Sequence, residues 1–140
     1  MIKQNRRKQL LLLALTAVML AFIWGNSLLP PEQSWAVSEA VRGVLALLLP
    51  GGGQEGGTGA GGVLVRKLAH FTEFCVLGLL LKAQWAERRS TAPLLLALLA
   101  ALTDETIQRY TGRTSSVLDV WLDFSGAVAG VAAAAAVLWW

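Results

Sequence analysis

The sequence predicts an all-α integral membrane protein, a four-transmembrane-helix bundle with an extra amphipathic helix at the interface, built as a single membrane domain over residues 1–140. Three observations predict it. Hydrophobic residues make up 55 % of the chain and charged ones only 15 %, and the mean hydropathy of +0.55 lies well to the apolar side of a soluble domain. One stretch near the start is apolar over the whole thickness of a bilayer. The other apolar runs are too short to cross alone and reach that length only by enclosing charged residues.

Residues 10–29 form the first expected span. They follow Lys3, Arg6, Arg7 and Lys8 and are apolar apart from Thr16, Asn26 and Ser27. At about 1.5 Å per residue, roughly 20 residues cover a hydrocarbon core of about 30 Å. A secretory signal has a similar charged start, but its apolar stretch is about 7–15 residues long and ends in a small-x-small cleavage site. Trp24-Gly25-Asn26-Ser27 matches that site poorly. Pro30 and Pro31 end the span, because proline lacks the amide hydrogen and pushes its predecessor out of helical geometry. Over residues 32–49, Val37, Val41, Val44, Leu45 and Leu48 share one helix face, with Glu39 and Arg42 off it. That segment is too short and too polar to cross and is expected to lie at the interface. Pro50 stops it, and a glycine-rich linker follows at 51–62, without the Gly-Lys-Ser/Thr of a phosphate loop.

The second span must run over residues 63–82, since the uninterrupted apolar stretch 74–81 is far too short, and it therefore encloses Arg66, Lys67, His70 and Glu73. The third, at 91–110, has the same defect. Its apolar part ends at Leu102, so the helix has to continue through Asp104, Glu105 and Gln108. The fourth, at 117–139, carries Asp119 and Asp123 near its start and ends at Trp139 and Trp140, an interfacial anchor.

Charge and cysteine content narrow the function classes. The net charge of +3 is modest and its Lys and Arg residues come in short groups, with no aromatic-interleaved basic stripe, so nucleic acid is excluded as a partner. The single cysteine, Cys75, leaves no intramolecular disulfide to form. By the positive-inside rule, Lys3, Arg6, Arg7 and Lys8 before the first span and Lys82, Arg88 and Arg89 after the second are cytoplasmic. Both termini are then cytoplasmic, and the polar ends of the second, third and fourth spans meet at the outer face.

Helical spacing gathers those ends into one site. Lys67, His70 and Phe74 share a face, as do Glu105 and Gln108, with Ala101 one turn below. Ser116, Asp119, Asp123, Gly126 and Gly130 form a stripe whose Gly-x-x-x-Gly part is a close-packing surface, so the acidic face turns into the bundle. Arg66, Lys67, Arg109 and Arg113 stand against Glu73, Asp104, Glu105, Asp119 and Asp123, with Arg66 and Arg109 expected to snorkel to the interface. Ionisable groups at membrane depth are costly and mark pathways or sites. Glu105, with Asp119 or His70, is the candidate catalytic acid and base. Lys67, Gln108, Arg113, Ser116 and Asp123 are candidate substrate-binding residues, Arg113 offering a planar fork suited to phosphate oxygens. No nucleophile stands out, since a hydroxyl such as Ser116 beside an aspartate caps the following helix more often than it attacks. The single histidine in His70-x-x-Glu73 is a weak metal signal, so no metal and no cofactor are expected. The competing reading is a non-enzymatic scaffold whose charge network only fixes helix register.

Three motifs carry a resemblance. Lys67-x-x-His70-Phe71-x-Glu73-Phe74-x-x-Leu77-Gly78, then Asp104-Glu105-x-x-Gln108, then Gly112-Arg113-x-x-Ser116-x-x-Asp119-x-x-x-Asp123-x-x-Gly126-x-x-x-Gly130 together resemble the VanZ-like family. The likeness covers residues 63–130, and the exit of the first span at 24–31 is also similar. Phe74 stands where the family commonly has tyrosine, and Asp123 where it commonly has asparagine. The resemblance implies a multi-pass protein of the bacterial cytoplasmic membrane, from a family whose namesake is associated with resistance to the glycopeptide teicoplanin. Membrane lipids or a lipid-linked cell-envelope precursor are the expected partners, and a homo-oligomer is compatible with four spans.

Overall fold

Leucine and alanine, both strong helix formers, fill the apolar segments, and proline and glycine punctuate them. The computed structural model describes residues 6–29, 60–85, 90–113 and 115–139, and these form four helices. They are α1 (Arg6–Leu28), α2 (Ala60–Gln84), α3 (Ala92–Tyr110) and α4 (Val117–Trp139). The expected amphipathic helix at 32–49, most of the glycine linker, the basic loop residues Arg88 and Arg89 and the Trp139-Trp140 anchor lie outside the described residues or side chains. One boundary differs from expectation: α2 begins at Ala60, taking in Gly61 and Gly62, which the sequence assigns to the linker. Extending a formed helix adds one hydrogen bond per residue, and this offsets the roughly 1 kcal/mol that each glycine costs.

Glycine sets the closest packing. A Cβ on Gly126 would lie 2.3 Å from the Phe71 carbonyl oxygen, and one on Gly130 would lie 2.0 Å from that of Cys75. From the other side, a Cβ on Gly78 would lie 2.2 Å from the Ala127 oxygen. Phe71 meets Gly126 and, four residues on along both helices, Cys75 meets Gly130, so α2 and α4 run the same way. Their backbones touch at a distance only glycine permits. α1 and α3 run together in the opposite direction: Trp24 Nε1 donates to the Ala100 oxygen at 3.4 Å and Ser27 Oγ to Asp104 Oδ1 at 2.6 Å. Gln84, at the end of α2, donates to Thr16, midway along α1 and on the N-terminal side of Trp24 and Ser27. The core between them is Ile23, Phe74, Leu77, Leu81, Ala97, Ala100, Ala101 and Ala127.

The bundle is apolar outside and partly polar within. The buried residues of α1 are Thr16, Ile23 and Ser27, whereas Leu10, Leu11, Val18 and Phe22 are exposed. Leu95, Leu99, Val117, Leu118 and Trp121 continue this apolar exterior on α3 and α4. Soluble domains do not expose contiguous leucine surface on this scale. α1 and the 117–137 part of α4 are long and apolar enough to cross a membrane, and only 17 % of the α1 window is buried in the bundle. These features suggest a membrane protein.

Candidate functional site

The site starts with how α3 ends. Gly112 takes φ +75°, Arg113 N donates to the Gln108 oxygen at 3.0 Å and Gly112 N to that of Arg109 at 3.4 Å. This is the Schellman closure, in which a left-handed glycine turns the chain back over its last carbonyls. Three residues later Ser116 caps α4, its Oγ accepting from Leu118 N at 3.1 Å, with Asp119 in the first turn where the helix dipole favours a negative charge. Gly112→Ala is expected to cost about 1 kcal/mol, because a Cβ disfavours the left-handed conformation. Gly112→Asn should cost less, and thermal unfolding in detergent would rank the two.

This turn grips α1. Arg113 Nη1 donates to the Asn26 oxygen at 3.1 Å, and Thr111 Oγ1 lies 3.2 Å from that of Ser27. The last carbonyls of a helix have no partner within it and carry the negative end of its dipole, so a buried guanidinium fits there well. Burial, followed by the neighbouring Arg66, pushes the pKa of Arg113 below the usual arginine value, opposed by Asp104, Glu105 and Glu73. Arg113, expected to bind substrate, is thus engaged in holding α1.

Asp104 is the hub. It is fully buried, accepting from Ser27 at Oδ1 and from Gln108 Nε2 at Oδ2, the latter at 2.7 Å. Gln108 Oε1 in turn accepts from Arg66 Nη2 at 3.0 Å. Arg66, expected to snorkel, is therefore drawn into the network, while Arg109 is exposed. The helix face of Gln108 also pairs differently. Its partner is Asp104, one turn back, whereas Glu105 points toward α4 and accepts the Ser116 amide at Oε1. That bond satisfies the first N–H of the capping residue, as a capping-box glutamate does, but from a neighbouring helix.

At the rim, Lys67 Nζ lies 2.9 Å from Asp119 Oδ1, with the lysine side chain 46 % exposed. His70 is buried beside Glu73 and Asp104, and Asp123, 2 % exposed, faces the same interior. The acids that meet His70 are thus Asp104 and Asp123 together with Glu73, and not the expected Glu105 and Asp119, which are engaged with Ser116 and Lys67. Of the predicted site residues, the structure brings His70, Gln108 and Asp123 into one buried layer around Asp104, pairs Lys67 with Asp119 at its edge, and sets Glu105 with Ser116 at the start of α4. The central place of Asp104 and the parts played by Ser27 and Arg66 go beyond what the residue types alone indicate. The i,i+4 spacing of Asp104 and Gln108 was the available signal for the first.

Below this layer an apolar cavity of about 300 Å³ opens between α1, α2 and α3, lined by Leu20, Trp24, Leu77, Leu81, Leu99 and Ala100 among others. Trp24 and Thr103, also on its wall, sit one turn or less from Ser27 and Asp104, so the cavity begins where the polar layer ends.

The family model described as VanZ/LLP1 matches residues 11–139. Neither a curated protein nor a solved structure gives a match. The matched span takes in every residue of the polar layer and nearly all of the four helices, and the chain belongs to the VanZ/LLP1 family.

Proposed function

We propose that the chain crosses the bacterial cytoplasmic membrane four times, with both termini cytoplasmic and the 32–49 helix at the outer interface, and binds an envelope lipid or lipid-linked precursor. The observation that carries this reading is the apolar cavity lying directly beneath a polar layer, since a lipid has that two-part shape. Its volume of about 300 Å³ falls at the lower end of the range for small-molecule sites. A hydrocarbon chain fits among Leu20, Leu77, Leu81 and Leu99, and an anionic headgroup would engage the half-exposed Lys67 at the edge of the polar layer by exchanging for Asp119. The reading is one of binding, because Glu105 and Asp119 are each committed to a partner and acid–base work would have to break those contacts first. A changed susceptibility to teicoplanin would follow if the bound molecule is a precursor that the glycopeptide pathway draws on.

The extensive mutual pairing of Asp104, Gln108, Ser27 and Arg66 favours a second reading, a scaffold whose charges only fix helix register. Lipid extraction from detergent-purified protein separates the two. The wild type should carry a defined anionic lipid near one per chain by mass spectrometry. Ala100→Phe, which fills the cavity, and Leu99→Trp, which narrows its mouth at an exposed position, should lose it while remaining monodisperse. Equal lipid content in all three would favour the scaffold.

A further inference from the structure

Hydrogen bonds close most of the polar layer, but not around His70. The histidine side chain is 9 % exposed, and its Nδ1 is buried without a hydrogen-bond partner. Glu73 Oε2 is buried without one as well. These atoms face each other at 3.8 Å, and Nδ1 lies 3.9 Å from Asp104 Oδ2, both beyond the roughly 3.2 Å reach of a hydrogen bond. One ligand atom each from His70, Asp104 and Asp123 lies within 4.8 Å of the other two.

Three arguments converge on what this arrangement suits. Ligands about 2.0–2.2 Å from a metal ion form polyhedra with edges of roughly 3–3.5 Å, so a closing shift of up to about an ångström and a half between atoms within 4.8 Å of one another would bring them around one. Charge agrees with geometry. Glu73, Asp104, Glu105, Asp119 and Asp123 lie with only Arg66, Lys67 and Arg113 once the exposed Arg109 is set aside, so the layer holds more carboxyl groups than bases to pair with them. Asp104 is also held as ligating carboxylates are, its two oxygens fixed by hydrogen bonds from Ser27 and Gln108.

We propose that His70, Asp104 and Asp123 bind one divalent transition-metal ion of the Zn²⁺ or Mn²⁺ type, with Glu73 beside His70 at its edge. The imidazole makes a site for Zn²⁺ or Mn²⁺ a better match than one for Mg²⁺ or Ca²⁺, which take oxygen ligands. The site stands independently of lipid binding and draws its ligands from α2, α3 and α4, so an ion there would fasten the three helices at the polar end.

The test uses the full chain in detergent, purified without a histidine tag, stripped with EDTA and titrated with ZnCl₂, MnCl₂ or MgCl₂. Folded wild type should retain one Zn²⁺ or Mn²⁺ per chain through dialysis, and Mg²⁺ should not displace it. Because the chain has one histidine, its imidazole NMR signal is a direct reporter: Zn²⁺ should shift it and Mn²⁺ should broaden it. Asp123→Asn, nearly the same shape, should weaken binding by more than about tenfold, whereas Ser125→Ala at an exposed position should leave it unchanged. Should the Asp123 variant fail to fold, the wild-type imidazole response decides alone. No stoichiometric retention by folded wild type would overturn the proposal, as would an imidazole signal indifferent to bound metal, or equal affinity in a folded Asp123→Asn.

Discussion

Gly130→Ala is expected to force α2 and α4 apart and to lower stability by about 1–3 kcal/mol or more, the range for overpacking a close-packed interior. The new Cβ would lie 2.0 Å from the Cys75 oxygen and 2.9 Å from the Leu79 nitrogen. Both obstacles are backbone, so no side chain can swing away to make room. Gly126→Ala meets the Phe71 oxygen at 2.3 Å one turn earlier on the same surface. Once either substitution has separated the helices the second adds less, so the two effects should combine to less than their sum. Gly25→Ala, with nothing within 4 Å of its Cβ position, is the control. Size-exclusion profiles after graded heating in detergent would measure all of them, and an unshifted midpoint for Gly130→Ala would show that α2 and α4 do not meet as described.

Asp104→Leu is the second large effect. It leaves the buried Ser27 hydroxyl and Gln108 amide without their acceptor, and a buried polar group deprived of its partner costs about 1–3 kcal/mol. With two such groups, a total near 3–5 kcal/mol is expected, comparable to breaking a buried ion pair. Asp104→Asn should lose less, since one oxygen remains to accept. It keeps both contacts only if its new amide N–H donates to Ser27 Oγ, which leaves the serine proton in need of another acceptor, because Gln108 already uses its own oxygen on Arg66 and cannot turn its amide round without losing that contact. In a double-mutant cycle with Ser27→Ala, a coupling near 1 kcal/mol would be the signature of the bond. Additive losses would mean that Ser27 finds another acceptor.

Much of the fold could be read in advance from residue spacing, and the reasons are specific. Asp119, Asp123, Gly126 and Gly130 recur every three or four residues, so the acidic stripe and the glycine contact had to face the same neighbour, as they do. The polar halves of α2 and α3 could not be helical and apolar at once, so their convergence with the start of α4 at one end of the bundle was forced by chain direction. Which acid meets which partner was not legible. Asp104 and Glu105 are adjacent, about 100° apart around α3, and a modest rotation of that helix decides which of them turns toward His70 and which toward Ser116. That rotation is set by packing of Ala97, Ala100 and Ala101, alanines whose placement no periodicity specifies closely. Ser27 was visible as a break in an apolar run, but its partner lies 77 residues further on. Arg113 was recognised as important from its residue type alone, which cannot distinguish a headgroup from the carbonyls of a helix end.

The grip of the 111–113 turn on α1 has a bearing on how the chain assembles. The groups that cover the α1 carbonyls are supplied from 84 and 87 residues downstream. In a chain whose helices form in sequence order, α1 and α2 are therefore complete before the turn that supplies Thr111 and Arg113 to the α1 end exists. Seating of the α1 end depends on the connection between α3 and α4, and not on the segment that directly follows α1 in the chain.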